Sequence, residues 1–173
     1  GLRVGISWRG GKKSDVRRIR STTLDQWANL LMIPDVRFIN LQYGESEYEL
    51  SGIQEQFGIT IHNWIESDPR NDLDDFVAQI AALDLVISVD NSTVHLAGAV
   101  GTAVWTLLPF SADWRWLRDR EESPWYPSMR LFRQPDFNDW DTTFRLVSSE
   151  LRIKSKHSRQ TAVGTSPVKV KCR

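Results

Sequence analysis

Two short stretches place reactive side chains where a buried strand gives out. In "LDLVISVDNSTVHLAGAVG" (Leu83 to Gly101) an apolar run ends in Asp90, Asn91, Ser92 and Thr93, and His95 follows in the first turn of a small-residue helix. In "VGISWRGGKK" (Val4 to Lys13) an apolar run ends in Ser7, Arg9, Gly10, Gly11 and Lys12. The first stretch can bind an anion. The N–H groups of Ser92, Thr93 and Val94 lack intrahelical partners, and the helix dipole places partial positive charge there. The second can neutralise one, because Arg9 and Lys12 are cations and Gly10 and Gly11 let a phosphate approach the backbone. The dipole favours a neutral His95, which could donate to a phosphate or a sugar hydroxyl. Together these groups describe a diphosphate site. Each also has a plainer alternative. Asn91 and Ser92 are good helix caps with or without a ligand. His95 could simply bond Asp90 or a nearby carbonyl. Lys13, Arg17 and Arg18 suit a solvated basic loop.

Further candidates lie at the neighbouring strand exits. Gln42 ends "FINLQ", a position that meets a ribose hydroxyl in dinucleotide-binding folds. Trp64 could wall a base pocket or simply pack. The segment "PFSADWRWLRDREESPWYP" holds Trp114, Trp116, Trp125 and Tyr126 among Arg115, Arg118 and Arg120. It could stack on a sugar, face a second domain, or pack under its own loop. Several chemistries are absent. There is no GxxxxGK[ST] phosphate loop and no GxGxxG. No nucleophile elbow G-x-S-x-G occurs. His62, His95 and His157 are scattered and the cysteine is single, so no metal constellation is expected.

The surrounding elements must hold these groups in place. Strand-like runs are "LRVGISW", "VRFINLQ", "ITIHNW", "DLVISV", "AVWTLL" and "MRLFR". Helical patterns lie between them: "TTLDQWANLLM" with Leu24, Trp27, Leu30 and Leu31 on one face, "ESEYELSGIQEQF", "NDLDDFVAQIAAL" with Leu73, Phe76, Val77, Ile80 and Ala81 inward, "STVHLAGAV", and "DWDTTFRLVSSELRI". The segment "GGKKSDVRRIRS" reads as a polar loop. Six strands alternating with helices predict an α/β fold, a doubly wound Rossmann-like parallel sheet in an αβα sandwich. Right-handed crossovers point to the strand order 3-2-1-4-5-6. Ligands then bind at the reversal of strand order, between the exits of the first and fourth strands, which are the two stretches quoted above.

Composition sets the outer limits. The 173 residues suit one domain, placed at 1–153, with a basic, structureless tail at 154–173. The formal charge is zero, yet residues 152–173 carry seven Lys/Arg and no acid, leaving 15 basic against 22 acidic side chains in residues 1–151. The tail reads as a solvated segment rather than a nucleic-acid-binding arm. Val94 to Phe110 is the longest apolar stretch and is interrupted by His95, Gly98, Gly101 and Thr102, so no membrane span is expected. Cys172 is the only cysteine, which fits a reducing, cytoplasmic compartment. The chain opens at Gly1 and enters a strand at once, with no signal peptide visible, as expected of a piece of a longer protein.

"LDLVISVDNSTVHLAGAVGTAVWTLLP" resembles the donor-site segment of GT-B glycosyltransferases of the ADP-heptose:lipopolysaccharide heptosyltransferase type. With "VGISWRGG", "FINLQYGE", "DWRWLRDREESPWYPSMRLFRQ" and "NDW", the chain is similar, from about Val4 to Leu151, to the glycosyltransferase-like C-terminal domain of bacterial tetratricopeptide-repeat proteins. The resemblance implies the donor-binding half of a two-domain, metal-independent unit that uses no cofactor. Ser7 and Arg9, with Gly10 and Lys12 on the same loop, would lie near the phosphates. Gln42 would lie near the ribose, and Asp90, Asn91, Ser92, Thr93 and His95 near the diphosphate and sugar, with Arg9 and His95 stabilising the leaving group. The acceptor's general base would belong to an N-terminal half, so this piece alone is expected to turn over little or no substrate. Departures from the pattern are Asn91-Ser92 in place of Thr-Gly, Ala103 in place of Pro, and Gln42 in place of an acid. They leave ADP-, UDP- and GDP-sugars all open as the donor. They also motivate a second reading, a catalytically inactive interaction module that docks repeats or partner proteins through its Trp-rich loop.

Overall fold

A parallel strand covered by helices on both faces needs apolar side chains in both directions, and Leu85–Val89 supplies them. In the computed structural model, which describes residues 1–11, 14–64 and 70–163, this strand (β3) is buried at every position. It pairs in parallel with β1 (Leu2–Ser7) on one side and β4 (Val104–Leu108) on the other. β2 (Val36–Asn40) lies outside β1, and β5 (Met129–Arg133) outside β4. The sheet therefore has five parallel strands in the order β2-β1-β3-β4-β5. Strand order reverses between β1 and β3, as in a Rossmann-like α/β fold.

Five strands rather than six is a correction with a local cause. Residues 59–64 take the expected place beside β2 but form only one bridge, Ile39 to His62. The His62 N–H donates to Phe38 O (2.9 Å), and its carbonyl accepts from Asn40 N (2.7 Å). The ladder stops there because Asn63 turns its side chain to the Asn40 amide group (2.9 Å). Without that edge strand the expected order loses its first member and is otherwise retained.

Helices cover both faces. Leu85, Ile87 and Val89 point into a core shared with α2 (Leu24–Leu31), α3 (Glu47–Phe57) and α6 (Trp140–Val163). Val86 points the other way, into a core with α4 (Leu73–Ala81) and α5 (Ser92–Ala99). The apolar stripe of α2 is buried as its spacing predicts, Leu24, Trp27, Leu30 and Leu31 all facing inward. Its first turn is held by Gln26, whose side chain accepts the Thr23 N–H at 2.9 Å. On α4 the inward face is Phe76, Gln79 and Ile80, with Val77 half-buried, while Leu73 and Ala81 are exposed, contrary to the spacing.

Two boundaries differ from the sequence expectation. The segment read as a polar loop contains α1 (Ser14–Arg20). It has no apolar stripe to announce it, and it is anchored by Arg20, which reaches carboxylates of other elements. The last helix continues past Ile153 to Val163. Ser155 donates to Pro34 O (3.1 Å) and Arg159 pairs with Asp35, so the start of the basic segment is tied to the turn before β2. Among the described residues no helix is long and apolar enough to cross a membrane.

Trp27 joins the two levels of this packing. Its ring meets Phe144 of α6 edge-on at 5.2 Å, and its indole N–H donates to Thr22 Oγ1 (2.8 Å), which in turn donates to Trp8 O. Trp27→Ala should cost about 3–5 kcal/mol, the usual loss for truncating a buried aromatic, measured as a lowered urea midpoint with an unchanged slope.

Candidate functional site

The site begins with Asn91, which follows Asp90 at the exit of β3. Its Oδ1 accepts the Thr93 N–H (3.0 Å) and so caps α5. The Ser88 hydroxyl lies 3.2 Å from Oδ1 and donates over a shorter distance to Val89 O (2.9 Å). Its Nδ2 donates to Ser7 Oγ (2.8 Å) and Arg9 O (3.0 Å), on the loop leaving β1. One side chain thus caps a helix and joins two strand exits. The β1 loop also lies hard against β3, for a Cβ on Gly10 would be 2.7 Å from Asp90 O. Only a residue without a side chain fits there.

Gln42 extends the network to the next strand. Its Oε1 accepts from Ser7 Oγ (3.1 Å), Trp8 N (3.1 Å) and Arg9 N (2.8 Å), and its own N–H is held by Asn40 Oδ1 (2.8 Å). The expected partner of Gln42 is a ribose hydroxyl; within the chain its amide oxygen accepts from three donors of the β1 exit, and the residue is buried. Arg9 turns toward β2 and α3. It donates to Glu45 O (2.6 Å) and pairs with Glu49 (3.2 Å), which also accepts the Trp8 indole N–H. Its Nε is buried without a partner.

Beside this network lies a cavity of about 440 Å³, lined by Arg9, Gly10, Gly11, Arg17, Gln42, Tyr43, Gly44, Glu45 and Arg70. It sits between the β1 and β2 exits, not between those of β1 and β3. That size suits a small ligand.

On the other side of the β1 loop is a chain of charges. Arg20 Nη1 stands 3.1 Å from Asp90 Oδ2, an ion pair that misses hydrogen-bond alignment. Its Nη2 reaches Asp113 (3.1 Å), and Asp113 also holds Arg115 (3.0 Å). Hydrogen bonds from Arg115, then from Arg20, lower the Asp113 carboxyl to about 2. Arg115 Nη1 faces His95 Nε2 at 3.5 Å, and His95 Nδ1 meets the Tyr126 hydroxyl at 3.2 Å. Arg115 carries only donors, so Nε2 must be the acceptor and Nδ1 carries the proton. The ring stacks on buried Trp116 (5.3 Å) and meets Tyr126 edge-on (5.7 Å). Gly98 makes room for Tyr126, whose ring carbons would lie 2.5–2.9 Å from a Cβ there.

The structure therefore brings together Ser7, Arg9, Gly10, Gln42, Asp90 and Asn91, and Ser92 is exposed in the first turn of α5. Thr93 is buried, with its hydroxyl unpartnered. His95 is present at the site, but both its ring nitrogens have partners within the chain. Lys12 lies outside the described residues, as do residues 65–69 after Trp64. Trp64 itself is exposed. Arg20 and Asp113 were not foreseen. The arginine stands in a run of cations and the aspartate in an aromatic loop, and neither spacing signals a partner so remote in sequence. Among the described residues no group of three His, Cys, Asp or Glu could hold a metal ion.

No family model matches the chain. Protein FlbA of Caulobacter vibrioides is 39% identical over 153 residues, which is 88% of this chain and 25% of FlbA. E. coli heptosyltransferase WaaC, solved with ADP-2-deoxy-2-fluoro heptose, superposes with a TM-score of 0.60 over 87% of this chain and 43% of its own, at 15% identity. The chain thus spans a quarter of one relative and under half of the other, and it shares the glycosyltransferase-like fold of WaaC.

His95 should titrate below 6.5. Burial is the main cause, Arg115 adds to it, and the carboxylates of Asp90 and Asp113 oppose it. The neutral ring then contributes stability that is complete above the unfolded pKa of about 6.5 and is lost as pH falls through the folded value. Urea unfolding above and below that pH should show the loss, and His95→Phe should flatten it.

Proposed function

We propose that this chain is the nucleotide-sugar-binding domain of a metal-independent GT-B glycosyltransferase, with the donor lying across the exits of β1, β2 and β3. The observation that carries the reading is the glycine-lined, arginine-rich cavity beside the Asn91–Ser7–Gln42 network. It stands at the carboxyl ends of the strands, where open α/β sheets bind nucleotides. The fold shared with WaaC, a protein solved with an ADP-sugar analogue, supports it.

In this reading the bond between sugar and phosphate breaks while negative charge grows on the nucleoside diphosphate. Arg9, on the β1 loop, would stabilise that charge in a partly dehydrated setting. No cofactor is invoked, and the substrate is a nucleotide-sugar, with ADP, UDP and GDP all open as its nucleotide. The acceptor and its general base would come from a preceding half, in a longer, cytoplasmic protein with tetratricopeptide repeats. His95 serves as a packed, neutral support for the Arg115–Tyr126 side of the site.

One observation favours a second reading. Trp114 is 77% exposed and Trp125 54% exposed on the loop after β4, as expected of an interaction module that docks a partner through aromatic side chains. A preceding half with an acidic residue facing the cleft would support the enzyme, and its absence the module.

Calorimetry with ADP, UDP and GDP should give heat for one of them at millimolar concentration. Arg9→Ala should weaken that binding, whereas Arg145→Ala, on the outer face of α6, should not. No heat with any nucleotide from a folded sample would refute donor binding.

A further inference from the structure

We infer that Glu49 is an autoinhibitory counter-ion: it holds the Arg9 guanidinium and competes with an incoming phosphoryl group for it. The inference rests on the donor-binding reading for the anion, and adds a contact that restrains its binding.

Arg9 leaves the exit of β1 and turns toward α3. Its Nη1 pairs with Glu49 Oε2 (3.2 Å), and its Nη2 donates to Glu45 O (2.6 Å). A guanidinium recognises carboxylate and phosphate through the same fork of donors. Glu49 therefore presents Arg9 with the chemistry that a phosphate would present. An anion gains Nη1 only when the ion pair gives way.

The exchange is feasible because the two oxygens of Glu49 have separate partners. Oε1 accepts the Trp8 indole N–H (2.9 Å), and Oε2 takes Arg9. Trp8 is fully buried, so its N–H is costly to leave unpaired and fixes the carboxylate in place. Arg9 can leave Oε2 without stranding that donor. The two side chains are 20% and 29% exposed, so water screens the pair and can solvate the oxygen left behind. The bond from Nη2 to Glu45 O can persist while Nη1 changes partner.

α3 is suited to carry such an acid. Glu49 lies in its first turn, where the helix dipole favours negative charge. The helix is only lightly packed, with Ile53 its one buried residue. Gly44 (φ 83°) precedes it, Gly58 (φ 68°) ends it, and Gly52 in its middle would meet nothing within 4 Å of an added Cβ. With so little apolar burial, the bonds of Glu49 to Trp8 and Arg9 set how α3 meets the β1 exit.

The probe is inorganic pyrophosphate, titrated calorimetrically into the full chain and its variants, with circular dichroism confirming each fold. Glu49→Gln keeps an oxygen for Trp8 and removes the charge that holds Arg9. It should bind pyrophosphate about fivefold more tightly than the wild-type chain, the scale of one released, partly exposed ion pair. Removing any acid near an anion site helps through the general field, so Glu45→Gln is the control. Glu45 lines the cavity beside Arg9 and meets Arg9 through its carbonyl. Its gain should be about twofold or less. In an Arg9→Ala background, Glu49→Gln should gain no more than Glu45→Gln does. Equal gains from the two glutamines, a gain at Glu49 that survives Arg9→Ala, or no gain at Glu49 would each overturn the counter-ion. So would a failure of both the wild-type chain and Glu49→Gln to bind pyrophosphate. If the variants follow the expected order but ADP, UDP and GDP give no heat, the counter-ion stands and the donor reading falls. Nucleotide heat without that order keeps the donor reading and removes the counter-ion.

Discussion

The arrangement depends on one side chain that bonds three segments at once. Asn91 uses both N–H donors, on Ser7 Oγ and Arg9 O, and its oxygen accepts the Thr93 N–H. A cap needs only the oxygen. The amide nitrogen does the additional task of tying the β1 exit to the β3 exit, and Ser7 passes the tie to Gln42 and β2. A serine or an aspartate could cap α5 but would not supply the two N–H donors. The network is buried, which makes each bond costly to leave unmade and fixes the loop geometry.

With the β1 loop drawn onto β3, a cavity lies on its other flank, toward β2. There the backbone turns at Gly11 and Gly44, and arginine side chains gather. The same closure separates two electrostatic zones. The α5 side is an internally balanced chain from Asp90 through Arg20, Asp113 and Arg115 to a neutral His95. On the β2 side Arg9 pairs with Glu49 and donates to Glu45 O at the rim of the cavity. Arg20 is also what makes α1 more than a loop, since it ties a helix of seven residues to both the β3 exit and the β4 loop.

The aromatic loop after β4 divides in a comparable way. Trp116 is buried against His95, and Arg133 donates to its carbonyl (2.6 Å). Trp114 and Trp125 stay largely in solvent, although the Trp125 indole N–H bonds Arg115 O at 2.7 Å. Three tryptophans within twelve residues thus have different surroundings, and their spacing alone does not distinguish them.

The parallel α/β sheet was legible from the sequence because burial imposes periodicity. Leu85–Val89 is apolar on both faces, α2 carries a stripe at helical spacing, and the polar strand exits mark the carboxyl edge where a site belongs. The residues at the reversal of strand order could be named on that basis. The failure of 59–64 to extend beyond one bridge, the presence of α1, and the continuation of α6 to Val163 were not legible. Each depends on a few contacts with distant residues: Asn63 with Asn40, Arg20 with Asp90 and Asp113, Ser155 with Pro34. The intrachain partners of Gln42 and His95 were hidden for the same reason, since they lie on the β1 exit and on the loop after β4. The sequence by itself determined the sheet, its reversal and the polar groups delivered there, because these follow from local pattern. Only the tertiary structure decided which of those groups hold one another and which flank stays open. A hydrogen bond is spent on whichever partner the fold brings within three ångströms.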